Sequence, residues 1–253
     1  MRRKFSSVTI VQTLAVSFAA LFMASSCGAS AALAVRADRS ATLSVSLEVP
    51  AAVEAKLRQF VASGAAASGA ASVATRPLFD PDAVAASMRA RGFAVEESTA
   101  PTPRSWRGTF RLADLGGLVS SDPELSKAVG YERGAGWASL SVSLSRGNAG
   151  ALARLFPGID ADLLEALQPP ALFDNPVSAA EYRSMLSGLL GMSAVAAIDG
   201  MAFTLAVSLP GPALERGGSA RLDAARRTAS LTVPALEAMV LERPVEFFVK
   251  WSQ

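Results

Sequence analysis

The chain has 253 residues, of which 51% are hydrophobic and 18% are charged, with no histidine and one cysteine. This composition can form a packed core, which excludes wholesale disorder; it also excludes histidine-based catalysis, zinc clusters and internal disulfides. Three of the 24 basic residues, Arg2, Arg3 and Lys4, precede residue 27, and without them the basic and acidic residues nearly balance. We therefore expect no nucleic-acid partner, since a nucleic-acid-binding surface should remain basic in the mature chain.

Residues 1–27 have the pattern of an export signal. A positively charged start is followed by an apolar run from Leu14 to Ala24 and then by small residues up to Cys27. A run of this length is typical of a secretory signal and is too short to cross a bilayer comfortably.

The segment Ala24-Ser25-Ser26-Cys27 resembles the lipobox of bacterial lipoproteins. In that family the cysteine is diacylated on sulfur and becomes the mature N-terminus. The resemblance implies that residues 1–26 are a lipoprotein signal peptide and that Cys27 carries fatty acyl chains such as palmitate. Two acyl chains would anchor the exported protein stably in the cell membrane or the outer membrane, whereas a single chain anchors only marginally.

Cysteine usage supports this interpretation, because a lone cysteine in an exported protein is otherwise an unpaired thiol in an oxidising compartment. The alternative is ordinary secretion. The small-x-small motif Ala32-Leu33-Ala34 could serve as the cleavage site, and its use would discard Cys27.

Residues 27–40 are small and polar, and we interpret them as a tether to a domain over 41–253. Residues 41–49 alternate between apolar side chains and polar ones, which predicts a half-buried strand. The pattern that follows predicts a helix over 51–62 and a flexible link over 64–72. A second helix is predicted over 81–91, because Asp80-Pro81 is a helix-capping pair and Gly92 is a suitable residue for the helix end.

Strands are predicted over 93–97, 106–112 and 137–144, and an irregular stretch with a short helix is predicted over 113–134.

Residues 148–198 form a predicted helical insert, and the part from Met185 to Ile198 carries no charge. A helix that is apolar all round is either buried in a core or in contact with a bilayer. The insert therefore either covers the sheet as core or helps to form a surface for an apolar ligand or membrane lipid. The candidate contact residues are the large apolar side chains of this run, namely Leu186, Leu189, Leu190, Met192, Val195 and Ile198.

The C-terminal part returns to strands. The pattern predicts strands over 201–209, 220–222, 228–233 and 245–251, a turn at Gly217-Gly218 and a short helix over 234–241. Several strands with one contiguous helical segment predict an α+β fold, an antiparallel sheet with a helical insert packed on one face, and not a βαβ alternation.

No motif in the chain assigns a reaction. There is no phosphate-binding Walker A or G-x-G-x-x-G pattern, and none of the lysines after the signal segment stands in an S-x-x-K pattern. Asp160 and Asp162 suit helix capping better than a calcium loop, because the loop glycine and ligand spacing are absent. We expect no cofactor, no metal and no enzymatic activity; an enzyme that uses carboxylates alone is the remaining alternative.

The C-terminal third resembles the LppM-type envelope lipoproteins. The resemblance rests on the strand that ends in Leu209-Pro210-Gly211, the Gly217-Gly218 turn, the strand from Thr228 to Val233 and the closing strand that ends in Trp251. It implies a soluble α+β domain that binds a hydrophobic or lipid ligand. The sequence thus predicts a non-enzymatic, lipid-anchored envelope protein that binds an apolar ligand or contacts membrane lipid, or alternatively an envelope interaction or assembly module with a protein partner.

Overall fold

The structure is a computed structural model that describes residues 28–68, 77–150, 167–173 and 176–253, with no side-chain description over 60–76. Within these residues the chain forms eleven strands, six α-helices and a short 3₁₀ helix. The strands are β1 (Gly28–Val35), β2 (Ala41–Glu48), β3 (Ala94–Thr102), β4 (Ser105–Leu112), β5 (Val129–Gly134), β6 (Trp137–Leu144), β7 (Ala202–Ser208), β8 (Ala213–Gly218), β9 (Arg221–Leu222), β10 (Thr228–Pro234) and β11 (Val245–Ser252). The helices are α1 (Ala51–Ser68), α2 (Pro81–Ala90), α3 (Leu115–Ser121), α4 (Ala179–Leu190), α5 (Met192–Asp199) and α6 (Ala235–Val240), and the 3₁₀ helix is Leu125–Lys127.

The strands form two sheets. The larger has seven strands in the order β3-β4-β2-β1-β7-β10-β9, and the smaller has four in the order β5-β6-β11-β8. The strand pairs of both sheets are antiparallel except β1 and β7, which run parallel. The prediction of an α+β fold with a mainly antiparallel sheet and helices packed on it is confirmed.

Alternation along the strands decides which face of the large sheet is apolar. In β2 the side chains of Leu43, Val45 and Leu47 lie on the face that also carries Trp106 and Phe110 of β4, because directly paired residues share a face. Trp106 and Phe110 are fully buried and stack on each other. The opposite face carries small and polar residues such as Ser44 and Thr109 that remain partly exposed.

Capping residues determine where the helices begin and end. The carboxylate of Asp80 accepts hydrogen bonds from the backbone N–H groups of Asp82 and Ala83, and Pro81 starts α2 as predicted. Ser178 and Glu181 form a capping box at the start of α4. The predicted single helix through residue 198 is divided at Gly191, whose φ of 83° ends α4 before α5 begins.

The predicted tether over 27–40 is wrong over most of its length. Residues 28–35 form β1, which lies in the middle of the large sheet between β2 and β7. The small side chains of this segment hide its strand character in the sequence. Hydrogen bonds to two neighbouring strands hold it in extended form all the same.

One other local prediction is wrong and another is confirmed. The stretch over 113–134, predicted to be irregular with one short helix after Asp122-Pro123, contains α3 and β5 as well as the 3₁₀ helix. The predicted turn at Gly217-Gly218 is confirmed, because the backbone N–H of Ala220 donates to the carbonyl of Gly217 at 3.3 Å and Gly218 has a φ of 60°. The two glycines are also the last residues of β8, which pairs with β11.

Candidate apolar cavity

The apolar face of the large sheet is organised in rows that cross its central strands. One row contains Leu47, Ala29, Phe203 and Val233, contributed by β2, β1, β7 and β10 in that order. The next row along the strands contains Val45, Ala31, Leu205 and Leu231. These rows give the face a continuous hydrocarbon surface.

The smaller sheet supplies the opposite wall. Val129 of β5, Leu140 and Val142 of β6, and Val245 of β11 are directed at the same space. Helices complete the enclosure: α3 contributes Leu115, Leu118 and Val119, α2 contributes Met88, and α6 contributes Ala238.

Between the two sheets lies a cavity of about 510 Å³. This volume is within the range of roughly 300–1,000 Å³ that small-molecule binding sites occupy. The residues that line the cavity are Ala29, Ser30, Ala31, Leu33, Ala41, Leu43, Val45, Leu47, Met88, Phe93, Leu112, Leu115, Leu118, Val119, Leu125, Val129, Leu140, Val142, Leu144, Phe203, Thr204, Leu205, Leu231, Val233, Ala238 and Val245. Apart from Ser30 and Thr204, all of these described lining residues are apolar, and none of them is ionisable.

The cavity explains an exposure pattern that is unusual for apolar side chains facing a core. Leu33, Leu43 and Leu47 lie on the inner face of a central sheet and yet are only partly buried. Interiors are normally packed with few voids larger than a water molecule. Here the inner faces of the two sheets do not fill the space between them, so these side chains border unfilled volume.

Phe203 is the most exposed of the described residues that line the cavity, at 40%. In the opposite direction along β1 and β7, Val35 and Val207 are buried. We therefore place the mouth at the end of the sheet where β1 and β7 begin.

The chemistry of the cavity is that of a hydrocarbon-binding site. A polar group placed inside without a hydrogen-bond partner would lose several kcal/mol, on the order of 2–7. Among the described residues, no group of three or more Asp, Glu, Cys or His side chains is placed to hold a metal ion. None of the described lining residues has a side chain of the kind used as a general acid or base.

The residues predicted as apolar-ligand or membrane contacts do not line this cavity. Leu186, Leu190, Val195 and Ile198 are buried in the core that α4 and α5 form with neighbouring elements. Leu189 and Met192 are exposed, at 40% and 65%. Cys27, the predicted lipidation site, lies outside the described residues, immediately before β1.

The ionisable groups around the described part of the helical insert have structural roles. The hydroxyl of Tyr182 donates to the carbonyl of Leu167 at 2.7 Å, and burial raises the pKa of this phenol. The Arg183 guanidinium contacts the Asp199 carboxylate at 2.7 Å, which joins α4 to α5 and raises the pKa of Arg183. Hydrogen bonds from Ser178 lower the pKa of Glu181.

Sequence reasoning located the apolar rows but not the cavity. The alternation of β2, β4, β7 and β10 was visible in the sequence. The composition of β1, in which Ala29 and Ala31 alternate with small residues, was not recognised as a strand pattern. Those two alanines provide space, since a larger side chain at either position would extend into the cavity.

Comparisons with known proteins give one structural neighbour of note. The folded domain of the LppM protein of Mycobacterium tuberculosis, determined by NMR, matches over 88% of this chain and 88% of its own, with 10% sequence identity and a TM-score of 0.39. No protein-family model and no curated protein sequence matches the chain. Among the described helices, none is both long enough and apolar enough to span a membrane.

Proposed function

We propose that this chain is a lipid-anchored protein of the bacterial cell envelope that binds one apolar, chain-like ligand in the cavity between its two sheets. The observation that carries the proposal is the cavity itself: about 510 Å³, lined almost entirely by aliphatic and aromatic side chains. The binding role is non-enzymatic.

The lining restricts the class of ligand. Each methylene that moves from water into such a space contributes about 0.8 kcal/mol, so an acyl chain or another extended hydrocarbon gains most. Because none of the described lining residues is ionisable, a charged head group would remain at the mouth near Phe203. A lipid that places one chain inside and its head group outside meets both requirements.

The position of β1 supports cleavage before Cys27 over the alternative motif at Ala32-Leu33-Ala34. That motif lies inside β1, which pairs with β2 on one side and β7 on the other. Cleavage there would remove the middle strand of the large sheet and with it Ala29 and Ala31 of the cavity wall. Cleavage before Cys27 retains the whole strand.

The lipid anchor is tested in bacterial cells that express the full chain. Metabolic labelling with an alkyne analogue of palmitate should mark the protein, globomycin should block processing, and Cys27→Ala should move it out of the detergent phase. Unchanged processing and detergent partitioning in both experiments would contradict lipid anchoring.

Ligand binding is tested separately. Native mass spectrometry of the full chain purified from membranes should show a bound lipid that organic extraction releases, and the emptied protein should bind cis-parinaric acid with saturation. Absence of both the bound lipid and saturable binding would contradict the binding role.

A second candidate function follows from the exposed side of α4 and α5. Met185, Leu189 and Met192 are all exposed there, within the run from Met185 to Ile198 that carries no charge. Such a surface also suits contact with another envelope protein, so the chain would then act as an interaction or assembly module. Cross-linking in cells from positions 189 and 192 to a specific protein, together with an empty cavity, would favour this function.

A further inference from the structure

Strand β1 begins at the mouth of the cavity, and Cys27 directly precedes this strand in the sequence. Ala29 follows Cys27 by two residues, lines the cavity and is directly paired with the exposed Phe203. Two residues of extended chain span at most about 7 Å, so an anchor on Cys27 would be joined to Ala29 by a link no longer than that. The opposite, closed end of the cavity is several residues further along β1.

No linker separates Cys27 from the sheet in the sequence. Gly28 is already part of β1, and a Cβ atom at this position would lie 2.3 Å from the carbonyl oxygen of Ala202. The backbones of β1 and β7 are therefore in close contact at the residue that follows Cys27. An anchor attached to Cys27 would hold this end of the sheet close to the membrane surface.

We propose that the mouth of the cavity faces the bilayer and that the ligand is a membrane glycerolipid, one acyl chain of which passes from the bilayer into the cavity directly. This inference rests on the lipid anchor and the binding cavity of the proposed function. The chain moves between two hydrocarbon environments and does not cross water, which removes the main barrier to lipid transfer. The exposed ring of Phe203 lies where the head group and the first methylenes of the chain cross the rim.

The test uses the lipidated full chain in vesicles of phosphatidylcholine and phosphatidylglycerol. The vesicles contain a phosphatidylcholine with a diazirine at the end of one acyl chain. After illumination, cross-links should map to the peptides that contain Ala31, Leu33 and Leu205, and loading is followed over time. The critical variant inserts about twelve Gly/Ser residues between Cys27 and Gly28, a spacer with a root-mean-square length of about 20 Å.

We expect the spacer to slow cross-linking by at least about tenfold, because the mouth is no longer held at the bilayer. The same twelve residues added after Gln253 serve as the control and should leave the rate unchanged. Both variants should bind cis-parinaric acid as the parent does, which shows that the cavity is intact.

The outcomes separate this inference from the proposed function. Equal loading rates with and without the spacer, in proteins that bind cis-parinaric acid normally, would overturn the bilayer-facing mouth and leave the binding role in place. If the lipidated chain excludes both probes while Cys27→Ser binds cis-parinaric acid, an acyl chain on Cys27 itself fills the cavity and uptake of a neighbouring lipid is overturned. If no form binds cis-parinaric acid, the proposed function fails as well.

Discussion

Ala29 and Phe203 lie side by side in the parallel pair formed by β1 and β7, at the open end of the cavity. The row that they share continues to Leu47 on one side and to Val233 on the other. The mouth is therefore built by two strand pairs from distant parts of the chain, β1 with β2 and β7 with β10, and its geometry depends on the correct assembly of the large sheet.

Ala31→Phe is expected to weaken binding of cis-parinaric acid by at least about tenfold, which corresponds to about 1.4 kcal/mol. Ala31 lies on the inner face and lines the cavity, so the added ring would occupy the space of the ligand. Ala32→Phe is the matched control, since Ala32 is the next residue of the same strand and is exposed on the other face. Fluorescence titration of both variants measures the effect, and equal affinities would mean that the ligand binds elsewhere.

The glycines of α4 and of the junction with α5 should respond to alanine in opposite directions. Gly188 lies within α4, and a Cβ atom there would meet nothing within 4 Å. Gly188→Ala is therefore expected to raise the free energy of unfolding by about 0.5–1 kcal/mol. Gly191 has a φ of 83°, a conformation that is unfavourable for a residue with a Cβ atom. Gly191→Ala is therefore expected to lower the free energy of unfolding by about 1–2 kcal/mol. Urea unfolding monitored by circular dichroism measures both changes. Stabilisation by both substitutions would argue against the break between the helices.

Arg146→Lys is expected to loosen α6. The Arg146 guanidinium donates to the carbonyl of Val240 at 2.8 Å and to that of Val177 at 2.7 Å. A lysine ammonium cannot bridge both carbonyls in this geometry, and a carbonyl left without its partner costs about 1–3 kcal/mol. Hydrogen exchange of the α6 amides should accelerate, while the exposed Arg243, changed to Lys, should have little effect. Unchanged exchange in the Arg146 variant would show that α6 does not depend on this contact.

The capping box of α4 should contribute stability that depends on pH. The carboxylate of Glu181 accepts hydrogen bonds from the backbone N–H of Ser178 at 2.8 Å and from its hydroxyl at 2.7 Å, which lowers its pKa below the ordinary value of 4.5. A lowered pKa in the folded state adds stability above the unfolded-state pKa, and this is lost as the pH falls through the folded-state pKa. The stability advantage of the parent over Glu181→Gln should therefore be present at neutral pH and disappear in acid. Denaturant unfolding of both proteins at a series of pH values measures this difference in stability. A difference that persists in acid would contradict a contribution from the ionised Glu181 carboxylate.

The apolar residues of α4 and α5 should separate into two classes. Leu190 is buried, so Leu190→Ala is expected to lower the free energy of unfolding by about 2–5 kcal/mol. Leu189 is exposed, so Leu189→Ala should change it by less than about 0.5 kcal/mol. Thermal or denaturant unfolding of the two variants measures these changes. A similar loss of unfolding free energy in both would mean that Leu189 is buried by another surface in solution.

Features that depend on local periodicity and capping can be predicted from the amino-acid sequence alone. Alternation predicted β2, β4 and β6, and Asp80-Pro81 predicted the start of α2, because side-chain direction along a strand and the needs of a helix end are set by neighbouring residues. The same local rules identified an uncharged apolar run over 185–198. They do not predict which side chains of this run are buried, as Leu190 is, and which are exposed, as Leu189 is, because burial depends on which elements pack against the helix.

Contacts between distant segments determine that residues 28–35 form a strand and that a cavity exists. β1 consists mostly of small residues whose intrinsic preference for a strand is weak, and its extended form depends on pairing with β2 and with the distant β7. Alternation specifies that Ala31 and Leu205 share an apolar face, but it does not specify what lies opposite. Whether two such faces pack solidly or leave space is set by the distance between the sheets and by the side chains of both walls, which no single segment encodes.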